Sequence, residues 1–132
     1  MTLIVGSSSC GKSSFINIHP DTTFIEAQQL PEENPRTLLV MFDCMSLESF
    51  IFAKQKIIEA HHRWNDVRIV VIGNKTDVGR KYSFNLEQFD RFCRQMFINL
   101  IMVSCRTGYR TDKPLLKLSE SYQPDEHTIC NW

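Results

Sequence analysis

The chain has 132 residues, which allows one domain with a buried core but not two. Its fifteen basic and fifteen acidic side chains balance, so no global field favours nucleic acid or an anionic membrane surface. The five cysteines are odd in number and contain no C-x-x-C pair, which excludes a disulfide framework and a zinc ribbon. We expect a single soluble domain over residues 1–132, without a membrane anchor, in a reducing compartment such as the cytoplasm or the nucleus.

A first strand is predicted over Thr2–Val5, and it runs directly into a glycine-rich loop. Residues 6–13 read Gly-Ser-Ser-Ser-Cys-Gly-Lys-Ser, the phosphate-binding pattern G-x-x-x-x-G-K-[ST]. The two glycines allow backbone angles that turn successive N–H groups toward phosphate oxygens. Lys12 adds a charge for the β- and γ-phosphates, and the Ser13 hydroxyl is placed to ligate Mg²⁺. The residues predicted to hold a nucleotide polyphosphate are Gly6, Ser9, Cys10, Gly11, Lys12, Ser13 and Ser14.

Apolar runs then alternate with helical patterns along the rest of the chain. Buried parallel strands are predicted over Thr37–Asp43, Arg68–Ile72 and Ile98–Val103. Two helical stripes are interpreted as core contacts: Leu47, Phe50, Ile51, Ile57, Ile58 and His61, and then Leu86, Phe89, Phe92, Cys93, Met96 and Phe97. A last helix is predicted to begin near Asp112 and to pack Leu115, Leu116 and Leu118.

This alternation of strands and helices predicts an α/β fold, a three-layer sandwich with a mainly parallel sheet. Ligands of such folds bind beyond the carboxyl ends of the strands. The polar candidates lie at the carboxyl ends of the predicted strands, and so on one rim of the sheet: Gly6, Asp43, Asn74 and Ser104.

Two further motifs lie on this rim, Asn74-Lys75-Thr76-Asp77 and Ser104-Cys105-Arg106. At these residues the chain resembles the Ras-like small GTPases, in which an N-K-x-D element reads guanine and a short S-A-K-like element supports it. An Asp carboxylate accepts from both the ring N–H and the exocyclic amine of guanine, whereas adenine offers no such pair. The resemblance therefore implies GTP or GDP, with Mg²⁺, rather than ATP, and Asp77 as the base reader.

The same resemblance implies roles for the neighbouring residues. Asn74 would join the loops, the stem of Lys75 would cover the base, and the backbone N–H of Cys105 would donate to the guanine oxygen. Ser104 and Arg106 would complete the supporting element, although Cys105 and Arg106 depart from the usual Ala and Lys. Thirty positions separate Asn74 from Ser104, close to the family's spacing. The implied fold is a small-GTPase-like P-loop NTPase with a reduced sheet.

The usual switch segments of this family have little room here. About thirty residues separate Lys12 from Asp43, far fewer than the family uses, and no D-x-x-G occurs between them. Thr22 and Thr23 could replace the switch threonine, but neither has a matching context. GTP hydrolysis depends on residues that orient a water and stabilise charge on the γ-phosphate. Because the usual switch residues have no counterpart here, no catalytic residue is predicted. We expect nucleotide binding with weak or absent hydrolysis.

Residues 24–31, 35–36 and 38–42 resemble the centromere protein M branch of the superfamily, small-GTPase-like kinetochore subunits with shortened switches. This resemblance implies a scaffold whose partners are proteins, including other kinetochore subunits at the centromere. The chain departs from that branch by keeping Lys12, Ser13, Asn74 and Asp77.

Three points stay open from the sequence. The first hypothesis is a nucleotide-binding scaffold with weak or absent hydrolysis. An active regulatory GTPase with atypical switches is the second hypothesis. An ATP-using P-loop kinase, which lacks an acceptor-site signature, is the third. The loss of switch strands should also leave Thr2–Val5 near a sheet edge. Either residues 23–29 pair there or another protein does.

Overall fold

Five parallel strands form the sheet in a computed structural model that describes residues 2–8, 10–74 and 86–120. The strands are β1 (Thr2–Gly6), β2 (Phe24–Ala27), β3 (Thr37–Asp43), β4 (Arg68–Asn74) and β5 (Asn99–Met102), in the order β2-β1-β3-β4-β5. The central strands are almost wholly buried, as expected when helices cover both faces of a sheet. The predicted α/β fold is confirmed, and the four predicted strands are present, one of them with the predicted bounds and the others with ends shifted by one or two residues.

Four helices make the two outer layers: α1 (Lys12–Ile18), α2 (Leu47–Arg63), α3 (Leu86–Gln95) and α4 (Lys113–Leu118). Phe15 of α1 and Leu118 of α4 pack on one face of the sheet. Helices α2 and α3 cover the other face, where the rings of Phe42, Phe50 and Phe89 meet edge to face at 4.8–5.7 Å between centroids. No helix within the described ranges is long and apolar enough to cross a membrane.

Strand β2 resolves the question of the sheet edge. Phe24–Ala27 pairs in parallel with β1, with Phe24 opposite Thr2 and Ala27 opposite Val5. The first of the two alternatives, pairing by residues 23–29, is therefore confirmed. Because β2 is parallel to β1, its carboxyl end reaches the same rim as the phosphate loop.

Residues 28–36, which connect β2 to β3, are fastened to α2. The Lys56 ammonium donates to Gln29 Oε1 at 2.9 Å, and Arg63 Nη1 donates to the Pro31 carbonyl oxygen at 2.8 Å. At its far end the backbone carbonyl of Arg36 accepts from the Arg68 N–H of β4 at 2.8 Å. The connection therefore has a defined path across the sheet.

Helix α2 buries only part of the predicted stripe, in which Ile57 is buried and Phe50 is half-buried, as expected. Its buried residues are Ser49, Ala53, Lys56, Ile57 and Ala60. Leu47, Ile51 and Ile58, expected in the core, are 45%, 47% and 37% exposed, and His61 is also exposed. The small side chains of Ala53 and Ala60 let the helix lie close to the sheet, and Lys56 finds an amide oxygen at the edge. The rest of the predicted stripe thereby faces outward.

Two smaller expectations about the core were also wrong. Phe97 is 74% exposed because α3 ends at Gln95 and the chain turns through a left-handed conformation at Phe97, with φ of 58°. Leu116 is 48% exposed because the short helix α4 buries only Pro114 and Leu118.

The buried thiols of Cys44 and Cys93 make the free energy of unfolding fall at alkaline pH. Burial raises the pKa of both thiols far above the ordinary value of 9.0, and the carboxylates of Asp43 and Asp90 raise them further. Above about pH 9 the unfolded chain releases protons that the folded protein retains, so the free energy of unfolding falls as pH rises, by up to about 1.4 kcal/mol per pH unit and thiol.

Urea unfolding between pH 8 and 10 should show a shallower fall of the free energy of unfolding for Cys93→Ala than for wild type. Cys105→Ala, at a half-buried position, is the control; equal slopes in wild type and Cys93→Ala would contradict the assignment.

Candidate nucleotide-binding site

Asn74, at the end of β4, holds three loops of the rim together. Its Nδ2 donates to the carbonyl oxygen of Cys10 in the phosphate loop at 3.3 Å. Its Oδ1 accepts from the N–H of Cys105, in the loop after β5, at 3.1 Å. Its own carbonyl oxygen accepts from the N–H of Cys44, after β3, at 2.9 Å. One buried residue thus sets the spacing of the loops that follow β1, β3 and β5.

The two glycines of the phosphate loop are required by close packing. A Cβ on Gly6 would lie 2.6 Å from Cys10 Sγ and 2.7 Å from the carbonyl oxygen of Met41. Gly11 has φ of 101° in the left-handed region, and a Cβ there would collide with the side-chain amide of Asn74. The loop can therefore lie against β3 and Asn74 only with glycine at both positions.

Lys12 begins α1 and is buried, with only 4% of its surface exposed. Its ammonium donates to the carbonyl oxygens of Gly6 at 2.6 Å and Ser7 at 2.7 Å. A lysine ammonium has three N–H donors, so among the described residues one donor is left for an anion. Ser13 and Ser14 follow on α1 with exposed side chains.

A polyphosphate fits the groups that this loop presents. Ser7 Oγ is buried and has no hydrogen-bond partner within the described part of the chain, a situation that costs about 1–3 kcal/mol. The loop also has a buried cation and a glycine-lined backbone. Bound nucleotide would be held by Lys12 and the loop backbone, and the Ser13 hydroxyl would ligate Mg²⁺. Ser7 was not among the predicted site residues; its position inside the motif was the only signal for it.

The described residues contain no group of three or more His, Cys, Asp or Glu side chains that could hold a metal ion. Of the described residues, Ser13 carries the hydroxyl that the motif assigns to Mg²⁺, and nucleotide phosphates and water commonly complete such a site.

Cys10 contributes its backbone rather than its thiol. Its side chain is fully buried, and burial raises the pKa of the thiol, while the charge of Lys12 acts in the opposite direction. The thiol therefore stays protonated at neutral pH and packs against Gly6. The Cys10 carbonyl is the group that Asn74 holds.

The loop after β5 is closed by its own hydrogen bonds around Ser104. The buried Ser104 hydroxyl accepts from the Thr107 N–H at 3.2 Å, and its carbonyl accepts from the Gly108 N–H at 2.8 Å. This turn presents the Cys105 N–H to Asn74, whereas the resemblance implied a bond from that N–H to guanine. Arg106 is exposed on the same turn.

Comparison with known protein families matches residues 28–123 to the Ras family, more than two thirds of the chain. The chain belongs to the Ras family. It therefore has the nucleotide-binding fold of small GTPases, a family that generally binds GTP or GDP with Mg²⁺. The matched range of this Ras-family domain begins after the phosphate loop and includes both guanine-side motifs.

The Ras-family structure brings most of the predicted site residues to one rim. Cys10 and Gly11 contact Asn74, Lys12 bonds to the Gly6 carbonyl, and the turn at Cys105 reaches Asn74 from the other side. Ser9, Lys75 and Asp77 lie outside the described residues, so the base-reading role of Asp77 stays a prediction.

Replacing Asn74 tests whether this residue supports the rim. Asn74→Ala leaves the Cys10 carbonyl and the Cys105 N–H without their partner, so we expect the free energy of unfolding to fall by about 2–3 kcal/mol. Urea denaturation measures this. Asn65→Ala, at an exposed position, is the matched control and should change stability by less than about 0.5 kcal/mol. Equal effects of the two substitutions would refute the role of Asn74.

Proposed function

We propose that this domain binds guanine nucleotide at the rim, hydrolyses GTP weakly or not at all, and serves as a protein-interaction scaffold. The observation that carries the nucleotide part is the side chain of Asn74, which bonds both the phosphate loop and the turn at Cys105. These loops serve the phosphates and the base in the Ras-like pattern. Their connection through one residue supports a site that can hold both ends of a nucleotide.

The path from β2 to β3 supports weak hydrolysis and the absence of switching. A signalling GTPase orders its switch loops around the γ-phosphate and releases them after hydrolysis. Here the connection has no D-x-x-G, and Lys56 and Arg63 of α2 bind it at Gln29 and Pro31. A connection held by the core helix has little left to reorder when the nucleotide changes.

The scaffold part rests on the resemblance of residues 24–31, 35–36 and 38–42 to the centromere protein M branch. On this basis the inner kinetochore is the proposed setting, with other kinetochore subunits as partners. The balanced charge of the chain agrees with recognition through local surfaces.

A fluorescent fusion of the full chain tests the kinetochore setting. We expect foci that coincide with a centromere marker in dividing cells, since a scaffold in the inner kinetochore is recruited there through its partners. Diffuse fluorescence in cells that contain a normally assembled kinetochore would remove this setting and leave the nucleotide proposal intact.

An active regulatory GTPase is the second candidate, and the intact start of α1 favours it. Lys12 and Ser13 begin α1 directly after the phosphate loop, and the motif assigns these two positions to the γ-phosphate and to a magnesium ion. Such an enzyme would have to take its water-positioning group from an unusual residue or from a partner in trans.

Nucleotide binding is tested by calorimetry with GDP and Mg²⁺ and by mass spectrometry of nucleotide released from the purified protein. We expect guanine nucleotide from wild type, and a loss of at least about tenfold in GDP affinity for Lys12→Ala, because a charge-assisted contact with phosphate is removed. Lys113→Ala, at an exposed position of α4, is the matched control and should bind like wild type. A folded wild-type protein that binds no GDP would refute the nucleotide part.

Hydrolysis separates the two candidates. We expect multiple-turnover GTP hydrolysis below the roughly 10⁻⁴ s⁻¹ scale of an unassisted small GTPase. Faster turnover that Lys12→Ala abolishes would establish the regulatory GTPase instead.

A further inference from the structure

A groove lies between α2 and α3, on the face of the sheet where the rings of Phe42, Phe50 and Phe89 meet. It encloses about 520 Å³ and is lined by the rings of Phe50, Phe89 and Phe92, by Lys54 and Arg91, and by two glutamines. The rings form its apolar floor, since Phe89 is buried and Phe50 and Phe92 are half-buried. The charged and amide side chains lie on exposed helix positions at its margins.

The charge of this groove has one sign. Lys54 and Arg91 are both exposed, and no carboxylate lines the groove among the described residues. Of the two acidic residues that precede Arg91 on α3, Asp90 is paired with Arg94, whose Nε lies 2.8 Å from Asp90 Oδ2, and Glu87 does not line the groove. The groove therefore combines an apolar floor with a cationic margin, in a chain whose total charge is zero.

An apolar ridge on α2 continues the groove outward. The ridge consists of Leu47, Ile51 and Ile58, which are all exposed. On a helix these residues lie on the same side as Lys54, at spacings of three, four and seven from it. Exposed apolar side chains that adjoin an apolar groove form a larger continuous surface than scattered ones, and such surfaces are typical of protein interaction sites.

We infer that this surface, Leu47, Phe50, Ile51, Lys54, Ile58, Arg91 and Phe92, docks an acidic amphipathic segment of a partner protein. Apolar side chains of the segment pack on the ridge and the groove floor, and its carboxylates bond to Lys54 and Arg91. The inference rests on the scaffold part of the proposed function and gives it a surface and a partner chemistry. It does not depend on nucleotide binding.

The ring geometry favours a protein segment over single-stranded nucleic acid. The Lys54 ammonium lies 5.4 Å from the centroid of the Phe92 ring, and that ring stacks on Phe89 with an angle of 15° between planes. Ring faces that are already in contact give bases no stacking platform. Two cations are also few for an anionic membrane, whose recognition uses clusters of four to eight basic residues.

Selection from a random peptide library displayed on phage, with the full chain as bait, tests the inference. We expect enriched peptides to combine two or more Asp or Glu residues with aromatic or aliphatic residues at helical spacing. Synthetic versions of these peptides should bind Lys54→Glu and Arg91→Glu each about tenfold more weakly than wild type, because charge reversal replaces attraction by repulsion. Lys113→Glu, on α4 across the sheet, is the matched control and should bind like wild type.

Several results would overturn the inference: no enriched acidic class, equal binding of the peptides to wild type and both reversal variants, or loss of binding in the Lys113→Glu control. Binding of anionic vesicles or single-stranded RNA that both reversals abolish, without peptide binding, would also overturn it in favour of those ligands. Both groove positions are exposed, so circular dichroism should show folded variants. Ile51→Ser, which keeps the charges, should weaken peptide binding as well.

GDP affinity measured on the same variants separates this inference from the proposed function. Lys54→Glu and Arg91→Glu should bind GDP like wild type, because both residues line a groove to which Asn74 and the described part of the phosphate loop do not contribute. Peptide binding in a protein that binds no GDP would support the docking surface and refute only the nucleotide part.

Discussion

The hydrogen bonds of Asn74 are the constraint on which the rim depends. A single side chain at the end of the inner strand β4 satisfies a carbonyl in the phosphate loop and an N–H in the loop after β5, while its backbone joins the loop after β3. Because Gly11 packs against the same amide, the left-handed turn of the phosphate loop and the position of Asn74 require each other. The geometry that a nucleotide would meet is therefore set by the protein itself.

The sheet edge next to the phosphate loop is covered by the chain itself. Strand β2 covers β1 in parallel, and the short connection that follows is bound by Lys56 and Arg63 of α2. A buried lysine normally needs a partner, and Gln29 supplies one from this connection. These contacts thus fix the path of the connection between β2 and β3.

Strand β2 was only one of two alternatives for the sheet edge, but the sequence was sufficient for the other four strands and for most of the rim, because buried parallel strands are continuously apolar and the motifs follow their ends. It was not sufficient for α2. There Leu47, Ile51 and Ile58 formed the stronger stripe, but the small Ala53 and Ala60 and the paired Lys56 decided which face meets the sheet. Hydrophobic periodicity does not register a lysine whose partner is 27 positions away. The pairing of Cys105 with Asn74 likewise depends on the turn around Ser104, which no motif specifies.

Hydrogen exchange of the full chain with GDP and with a non-hydrolysable GTP analogue tests the central claim most directly, since it reports on the rim and on the connection in one experiment. If the connection between β2 and β3 is not a switch, we expect either nucleotide to increase protection of residues 6–14, and residues 28–36 to exchange at the same rate with both. Slower exchange of residues 28–36 with the GTP analogue than with GDP would contradict it, because the connection would then be responding to the γ-phosphate as a switch.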